Sequence, residues 1–148
     1  MAMSPFAIAL NELSLESFRV ASRLNQSADK LARELGLSSA RWQVLNALEL
    51  AGKPLTVAAI ARLMGLKRQS VQRTADALVQ QGFLDFRDNP AHRRARLAVL
   101  TERSVATLQA LSQRRQVWAA GLNGEIPVAE LQQATRTLIT LRKLLENQ

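Results

Sequence analysis

The chain has 148 residues and 47% of them are hydrophobic, so it can bury the core of one globular domain, while a second domain would be cramped. Lysine and arginine number 20 against 12 acidic residues, and the net charge of +8 favours a polyanionic partner, either nucleic acid or an anionic membrane surface. The absence of cysteine excludes disulfides and thiolate metal sites, and a single histidine, His92, argues against a histidine-based metal site or catalytic triad.

The start of the chain lacks the pattern of an export signal. No charged segment is followed there by an apolar one, and no apolar run approaches the roughly 18 residues that span a bilayer. We therefore expect a soluble, cytoplasmic protein without a membrane partner.

The first predicted helix begins at Ser4-Pro5, with serine as N-cap and proline in the first turn. The next helix-breaking residue is Gly36, which predicts the end of the helix near Leu35. Its apolar residues recur mainly at steps of three and four: Phe6, Leu10, Leu13, Ala21, Leu24, Ala28, Leu31 and Leu35. A helix of roughly thirty residues would be about 45 Å long, so we expect part of this stripe to contact another chain. A kinked or frayed helix end is the alternative.

Two shorter helices follow, each with a capping residue and a glycine stop. Ser38 caps the first, which ends at Gly52-Lys53-Pro54, and Thr56 caps the second, which Gly65 closes. We interpret Trp42, in the first of them, as a packing residue rather than a ligand-stacking ring. In the second helix, four residues are predicted to face the core: Val57, Ile60, Ala61 and Met64.

A basic helix comes next, within residues 66–78. Val71, Ala75 and Leu78 share one side, which predicts a buried face. The other side chains suit phosphate and base-edge contacts: Lys67, Arg68, Gln69, Ser70, Gln72 and Arg73. Two short helices joined by a tight, glycine-containing turn form the helix-turn-helix pattern, in which this is the DNA-recognition helix. A solvated helix face is the alternative, but the lack of any acidic residue between Glu49 and Asp76 favours DNA.

After Gly82 the apolar period changes from 3.6 to 2, which predicts strands at residues 83–87 and 95–100. Between them lie a turn sequence, Asp88-Asn89-Pro90, and a basic tip, His92-Arg93-Arg94. A basic hairpin directly after a helix-turn-helix predicts a winged helix-turn-helix. One arginine would then enter the neighbouring minor groove. The alternative is that the two arginines only keep the hairpin tip in contact with solvent.

Two helices complete the chain. Thr101 is predicted to cap a helix that reaches Leu122 and is broken by Asn123-Gly124, and Pro127 opens a final helix that runs nearly to Gln148. The apolar stripes at both chain ends have no obvious intramolecular partner. We therefore predict a homodimer, in which two recognition helices lie side by side.

In order and spacing, these segments resemble the MarR-type transcription regulators. The resemblance is carried by residues 37–45 (LSSARWQVL), by residues 55–61 (LTVAAIA), by the recognition helix, and by the arginine wing that leads to Leu100-Thr101-Glu102. It covers nearly the whole chain. It implies a mainly α fold with a small β-wing, in one unit of residues 1–148, with a winged helix-turn-helix at 37–100 between dimerisation helices at 4–36 and 101–148.

The resemblance further implies a homodimeric repressor that binds a pseudo-palindromic operator and is released by a small amphipathic or aromatic ligand. By position, Gln69, Ser70, Gln72 and Arg73 would contact bases or adjoining phosphates. Lys67 and Arg68 would mostly contact phosphate, and Arg93 or Arg94 would be the wing-tip residue. Candidates for a ligand pocket are Phe18, Arg19, Arg23 and Trp42; a protein without any ligand is the alternative.

Three positions depart from the family's pattern. Lys67 stands where serine or threonine is common, so the recognition helix lacks a good N-cap and gains a candidate phosphate contact. His92 replaces the aspartate before the two arginines, and we interpret it as a solvated side chain, with a pH-sensitive wing as the alternative. Ser104 replaces a common glycine, which concerns only the local helix start.

Two other function classes compete with a transcription regulator. A winged helix can serve protein contacts without sequence-specific DNA binding, but the acid-free interval argues against that use. For an enzyme, the carboxylates are scattered, and the chain has neither a glycine-rich phosphate loop nor a nucleophile elbow. We therefore predict no catalytic residue, no metal and no cofactor.

Overall fold

The computed structural model describes residues 3–148, which fall into two compact units; residues 1–2 of the predicted unit lie outside this range. One unit extends to Ser112 and the other spans Gln113–Gln148. The elements in chain order are α1 Pro5–Arg33, α2 Ser39–Ala51, β1 Leu55–Thr56, α3 Val57–Met64, α4 Arg68–Gln80, β2 Leu84–Arg87, β3 Leu97–Leu100, α5 Glu102–Ala120 and α6 Val128–Glu146. A mainly helical chain with one small sheet confirms the predicted fold class.

The predicted caps begin the first three helices, α1, α2 and α3. The Ser4 hydroxyl accepts a hydrogen bond from the backbone N–H of Ala7 at 3.2 Å, and the Thr56 hydroxyl accepts one from Ala59 at 3.1 Å. Ser38 caps α2 in the same way. At the other end of α3, Gly65 has a φ of +64°, in the left-handed region that a side chain would disfavour. The short turn from α3 to α4 therefore follows from local sequence.

The sheet has three antiparallel strands in the order β1-β3-β2. The two strands of the wing pair from Leu84 opposite Leu100 to Arg87 opposite Leu97. The third strand, β1, was not predicted from the sequence, because two residues cannot display an alternating pattern. Its Leu55 pairs with Ala98 and thereby connects the wing to the start of α3.

The core lies in the first unit and holds the recognition helix from one side. Val71, Ala75 and Leu78 of α4 are buried, as the helical spacing predicts. They belong to one cluster with buried residues that include Leu45 of α2 and Leu108 of α5. Each large aliphatic side chain buried in this way stabilises the fold by about 1.5–3 kcal/mol, so the orientation of α4 is set by its inner face.

The long helix α1 runs without interruption and contributes little to this core. Only Ala32 of α1 is buried, whereas Phe6 is 76% exposed and Phe18 is 75% exposed. Trp42 of α2 is partly buried against the core. Within residues 3–148, no helix is both long enough and apolar enough to cross a membrane.

In the second unit, α6 has no buried residue. Its exposed apolar side chains are Val128, Leu131, Leu138, Ile139, Leu144 and Leu145. Leu131, Leu138 and Leu145 recur every seven residues, so they lie along one side of the helix.

Candidate nucleic-acid interface

The outer side of α4 carries the predicted DNA-contacting residues. All six are exposed at the beginning of the helix, away from its buried face: Lys67, Arg68, Gln69, Ser70, Gln72 and Arg73. Arg73 makes no hydrogen bond or ion pair with any described residue, so its guanidinium is available to a ligand. The helix thus presents a dense polar and cationic surface on a firmly packed support.

The first turn of α4 has no side-chain cap. Lys67 occupies the N-cap position with extended backbone angles, and its side chain accepts no hydrogen bond from the helix. The unsatisfied N–H groups of a helix start carry partial positive charge and favour an anion. The cap that the sequence predicts to be missing is therefore absent, and a lysine adds its charge at the same place.

Gln72 is held by Asp76, a residue outside the predicted site. Its Nε2 donates to Oδ1 of Asp76 at 2.9 Å, one helical turn further on. This contact occupies one donor of the amide and leaves its oxygen for another partner. The spacing of four residues between Gln72 and Asp76 is the sequence signal that could have identified the pair.

The tip of the wing is organised by Asn89. Its Nδ2 donates to the backbone C=O of Ala95 at 2.9 Å, and its Oδ1 accepts from the backbone N–H of Ala91 at 3.1 Å. The side chain therefore closes the loop from inside. Arg93 and Arg94 are exposed, and so is His92, whose backbone makes hydrogen bonds with Asn89 and Ala95 within the loop. The amide of Asn89 therefore shapes this tip.

A further cation of the wing, Arg96, was not selected from the sequence. Its Nη2 donates to the backbone C=O of Phe86 at 2.8 Å, and its guanidinium carbon lies 5.8 Å from the centre of the Phe86 ring. These contacts hold the charge against the strand, on an exposed side chain.

A cavity of about 270 Å³ lies between α4 and the wing. Its lining comes from three parts of the first unit. The helix α4 contributes Arg68, Gln72 and Asp76, the wing contributes Phe86, Arg94, Ala95 and Arg96, and the start of α3 completes it. The structure thus brings Arg68, Gln72 and Arg94 around one concave surface, whereas Arg93 does not line it. Three guanidinium groups outnumber one carboxylate there, a balance that suits a phosphate backbone.

The far end of α4 is anchored to the start of α5. The guanidinium of Arg103 donates through Nη1 to the backbone C=O of Gln81, and its central carbon lies 4.3 Å from the centre of the Phe83 ring. Thr101, the predicted cap, accepts from the N–H of Ser104 at 3.3 Å and donates its hydroxyl to the C=O of Gly82 at 2.7 Å. The sequence alone did not indicate the role of Arg103.

The predicted ligand residues lie elsewhere. Phe18 projects from α1, where Arg19 pairs with Glu16 at 2.6 Å and Arg23 donates to the side-chain oxygen of Gln26 at 3.3 Å. None of them, nor Trp42, lines the cavity between α4 and the wing. In the part of the chain that the structure describes, no group of three or more acidic or histidine side chains is placed to hold a metal ion.

Comparisons with known proteins identify the family and the fold of this chain. A family model described as the MarR family matches residues 35–95. An uncharacterised protein of Mycobacterium tuberculosis is 38% identical over 133 residues, which cover 90% of each chain.

Solved structures match the fold over nearly the whole chain. A MarR family transcriptional regulator from Silicibacter pomeroyi matches with a TM-score of 0.81 and 23% identity, over 98% of this chain and 96% of that one. The overoxidized AbfR protein bound to DNA matches with a TM-score of 0.75 and 19% identity, over 96% of this chain and 99% of that one. The family model, the relative and the shared fold together show that this chain belongs to the MarR family of winged helix-turn-helix transcription regulators.

Proposed function

We propose that this protein is a homodimeric transcription repressor that binds a pseudo-palindromic operator through α4 and the wing. The observation that carries the proposal is the concave cationic surface between them, which Arg68, Gln72 and Arg94 line together. AbfR, which has a similar fold, was crystallised in complex with DNA. Repression, rather than activation, is proposed on family membership.

The proposal divides the interface between sequence readout and backbone contact. Gln69, Ser70, Gln72 and Arg73 would reach base edges or adjoining phosphates in the major groove, and Lys67 and Arg68 would contact phosphate. Arg94, with Arg93 as the other candidate, would enter the adjacent minor groove. The free guanidinium of Arg73 and the uncapped helix start at Lys67 support this division.

Dimerisation is proposed from exposed apolar surface at both ends of the chain. Phe6 and Phe18 of α1 and the leucines of α6 would be costly to leave in water on a monomer. A two-fold axis would cover them and present two recognition helices to two half-sites about one DNA turn apart.

A small amphipathic or aromatic ligand is proposed to release the protein from DNA, with Phe18, Arg19, Arg23 and Trp42 as candidate contacts. Phe18 offers an exposed ring, while Arg19 and Arg23, one turn apart on α1, offer cations for an acidic group. Titration of the DNA complex with aromatic carboxylates tests this. The proposal is supported if the carboxylate releases DNA from the unsubstituted protein but not from a variant with both Arg19→Ala and Arg23→Ala. Equal release of DNA from the two proteins would contradict it.

Selection of bound sequences from a random DNA duplex library tests the main proposal. We expect one enriched motif with two inverted halves, because a symmetric dimer imposes its symmetry on the site. Enrichment of no motif, with weak binding that does not depend on salt, would instead identify the winged helix as a protein-interaction module.

A further inference from the structure

A groove between α2 and α3 is not used by the proposed DNA interface. It has a volume of about 710 Å³ and lies within the first unit. We call it the α2–α3 groove; its lining includes Asn46 and Leu50 of α2, Arg62 and Leu63 of α3, and Lys53 and Leu55 between the two helices. None of these residues belongs to the set assigned to DNA.

Two leucines of the α2–α3 groove are displayed to solvent. Leu50 is 79% exposed and Leu63 is 65% exposed, although Leu55 at the base of the groove is 9% exposed. Exposed leucines beside a buried one favour an apolar occupant, because its binding would remove that apolar surface from water.

The charges beside these leucines are of one sign. Lys53 and Arg62 line the groove and form no ion pair with any described residue, and no acidic side chain is part of the lining. Glu49, the acidic residue of α2, lines a different cavity. The free cations therefore complement an occupant that carries carboxylates next to its apolar side chains.

The shape of the groove selects the kind of occupant. Pockets for small molecules enclose most of their ligand, whereas the exposure of Leu50 and Leu63 shows that this groove is open to solvent. The lining positions of α2 recur at steps of three and four from Gln43 to Ala51, so the groove follows two turns of that helix. We propose that the α2–α3 groove binds an acidic amphipathic helix of another protein, in the helix-in-groove mode.

Peptide display tests this proposal. A library of random peptides of about 16 residues, which is about four helical turns, is selected for binding to the protein. The enriched peptides are expected to carry apolar residues at helical spacing and a net negative charge. A synthetic copy of an enriched peptide should bind at least about tenfold more weakly to Arg62→Glu and to Leu63→Ser than to the unsubstituted protein.

Matched variants make the test specific. Arg33→Glu reverses a charge on α1, outside the groove, and should change peptide affinity by less than about twofold. Leu63→Ser and Leu50→Ser should keep their helical circular dichroism, because both side chains are exposed, and should bind the selected operator as the unsubstituted protein does. Peptides without acidic residues, no enrichment, or equal losses for Arg33→Glu and Arg62→Glu would overturn the proposal. A loss of operator affinity in Leu63→Ser would overturn it too, by assigning the groove to DNA.

Discussion

Individual side chains at the beginning of α4 differ in how free they are to contact DNA. Gln72 is tethered to Asp76, whereas Arg73 has no partner among the described residues. A tethered amide is oriented before it meets a base, and a free guanidinium can adopt the bidentate geometry that guanine favours. We therefore expect Arg73 to contribute to sequence discrimination.

Replacing Arg73 with alanine should weaken binding to the selected operator by about 1–3 kcal/mol, if this side chain reads a base. Fluorescence anisotropy on the operator and on a random duplex, at one salt concentration, measures the loss on each. Equal losses on both duplexes would mean that Arg73 contacts only phosphate.

At the wing, the two arginines should differ. Arg94→Ala should lower affinity most for operators with A·T-rich flanks, because their narrow minor groove attracts a guanidinium. Arg93→Ala is the matched control and should have the smaller effect, since Arg93 does not line the cavity shared with α4. Unchanged affinity of Arg94→Ala on A·T-rich flanks would remove the wing from the proposed mechanism.

Among the elements, α4 combines firm packing with an uncapped start. Lys67→Ser should raise the free energy of unfolding by about 1 kcal/mol, because a serine hydroxyl can cap the first turn. If Lys67 contacts a phosphate, the same change should reduce the slope of log affinity against log salt by about 1. Urea denaturation and a salt titration measure the two effects. Unaltered stability would show that the helix start is satisfied in another way.

Local sequence predicted the elements better than the contacts between them. Capping residues such as Ser38 and Thr56, and glycines such as Gly65, act within a few residues, so their effect can be recognised in a single sequence. Arg103 contacts Gln81 and Phe83 across the chain, and β1 exists only because β3 lies beside it. Such non-local partners leave no periodic pattern. The roles of the candidate site residues remain predictions for the same reason.

For the whole molecule, the proposed homodimer depends on the exposed apolar side chains of α6. Leu138→Glu places a charge in the middle of the row formed by Leu131, Leu138 and Leu145. It should convert a dimer at micromolar concentration into a monomer, and operator affinity should fall with it. Analytical ultracentrifugation measures the size.

Thr140→Glu is the matched control for this experiment, since Thr140 lies on the other side of α6. It should leave the dimer intact. A monomeric unsubstituted protein at micromolar concentration would contradict binding to two half-sites.

The pairing of Leu55 with Ala98 has a consequence for how the protein folds. The recognition helix lies between these two residues in the chain. The strands β1 and β3 can therefore pair only after the segment between Leu55 and Ala98 has brought its two ends together. The helix-turn-helix and the wing should then open together as one cooperative unit. Native-state hydrogen exchange would show it: slowly exchanging amides of β3 and those of α4 should have the same free energy of opening. A fragment that ends before β3 should leave α4 without protected amides.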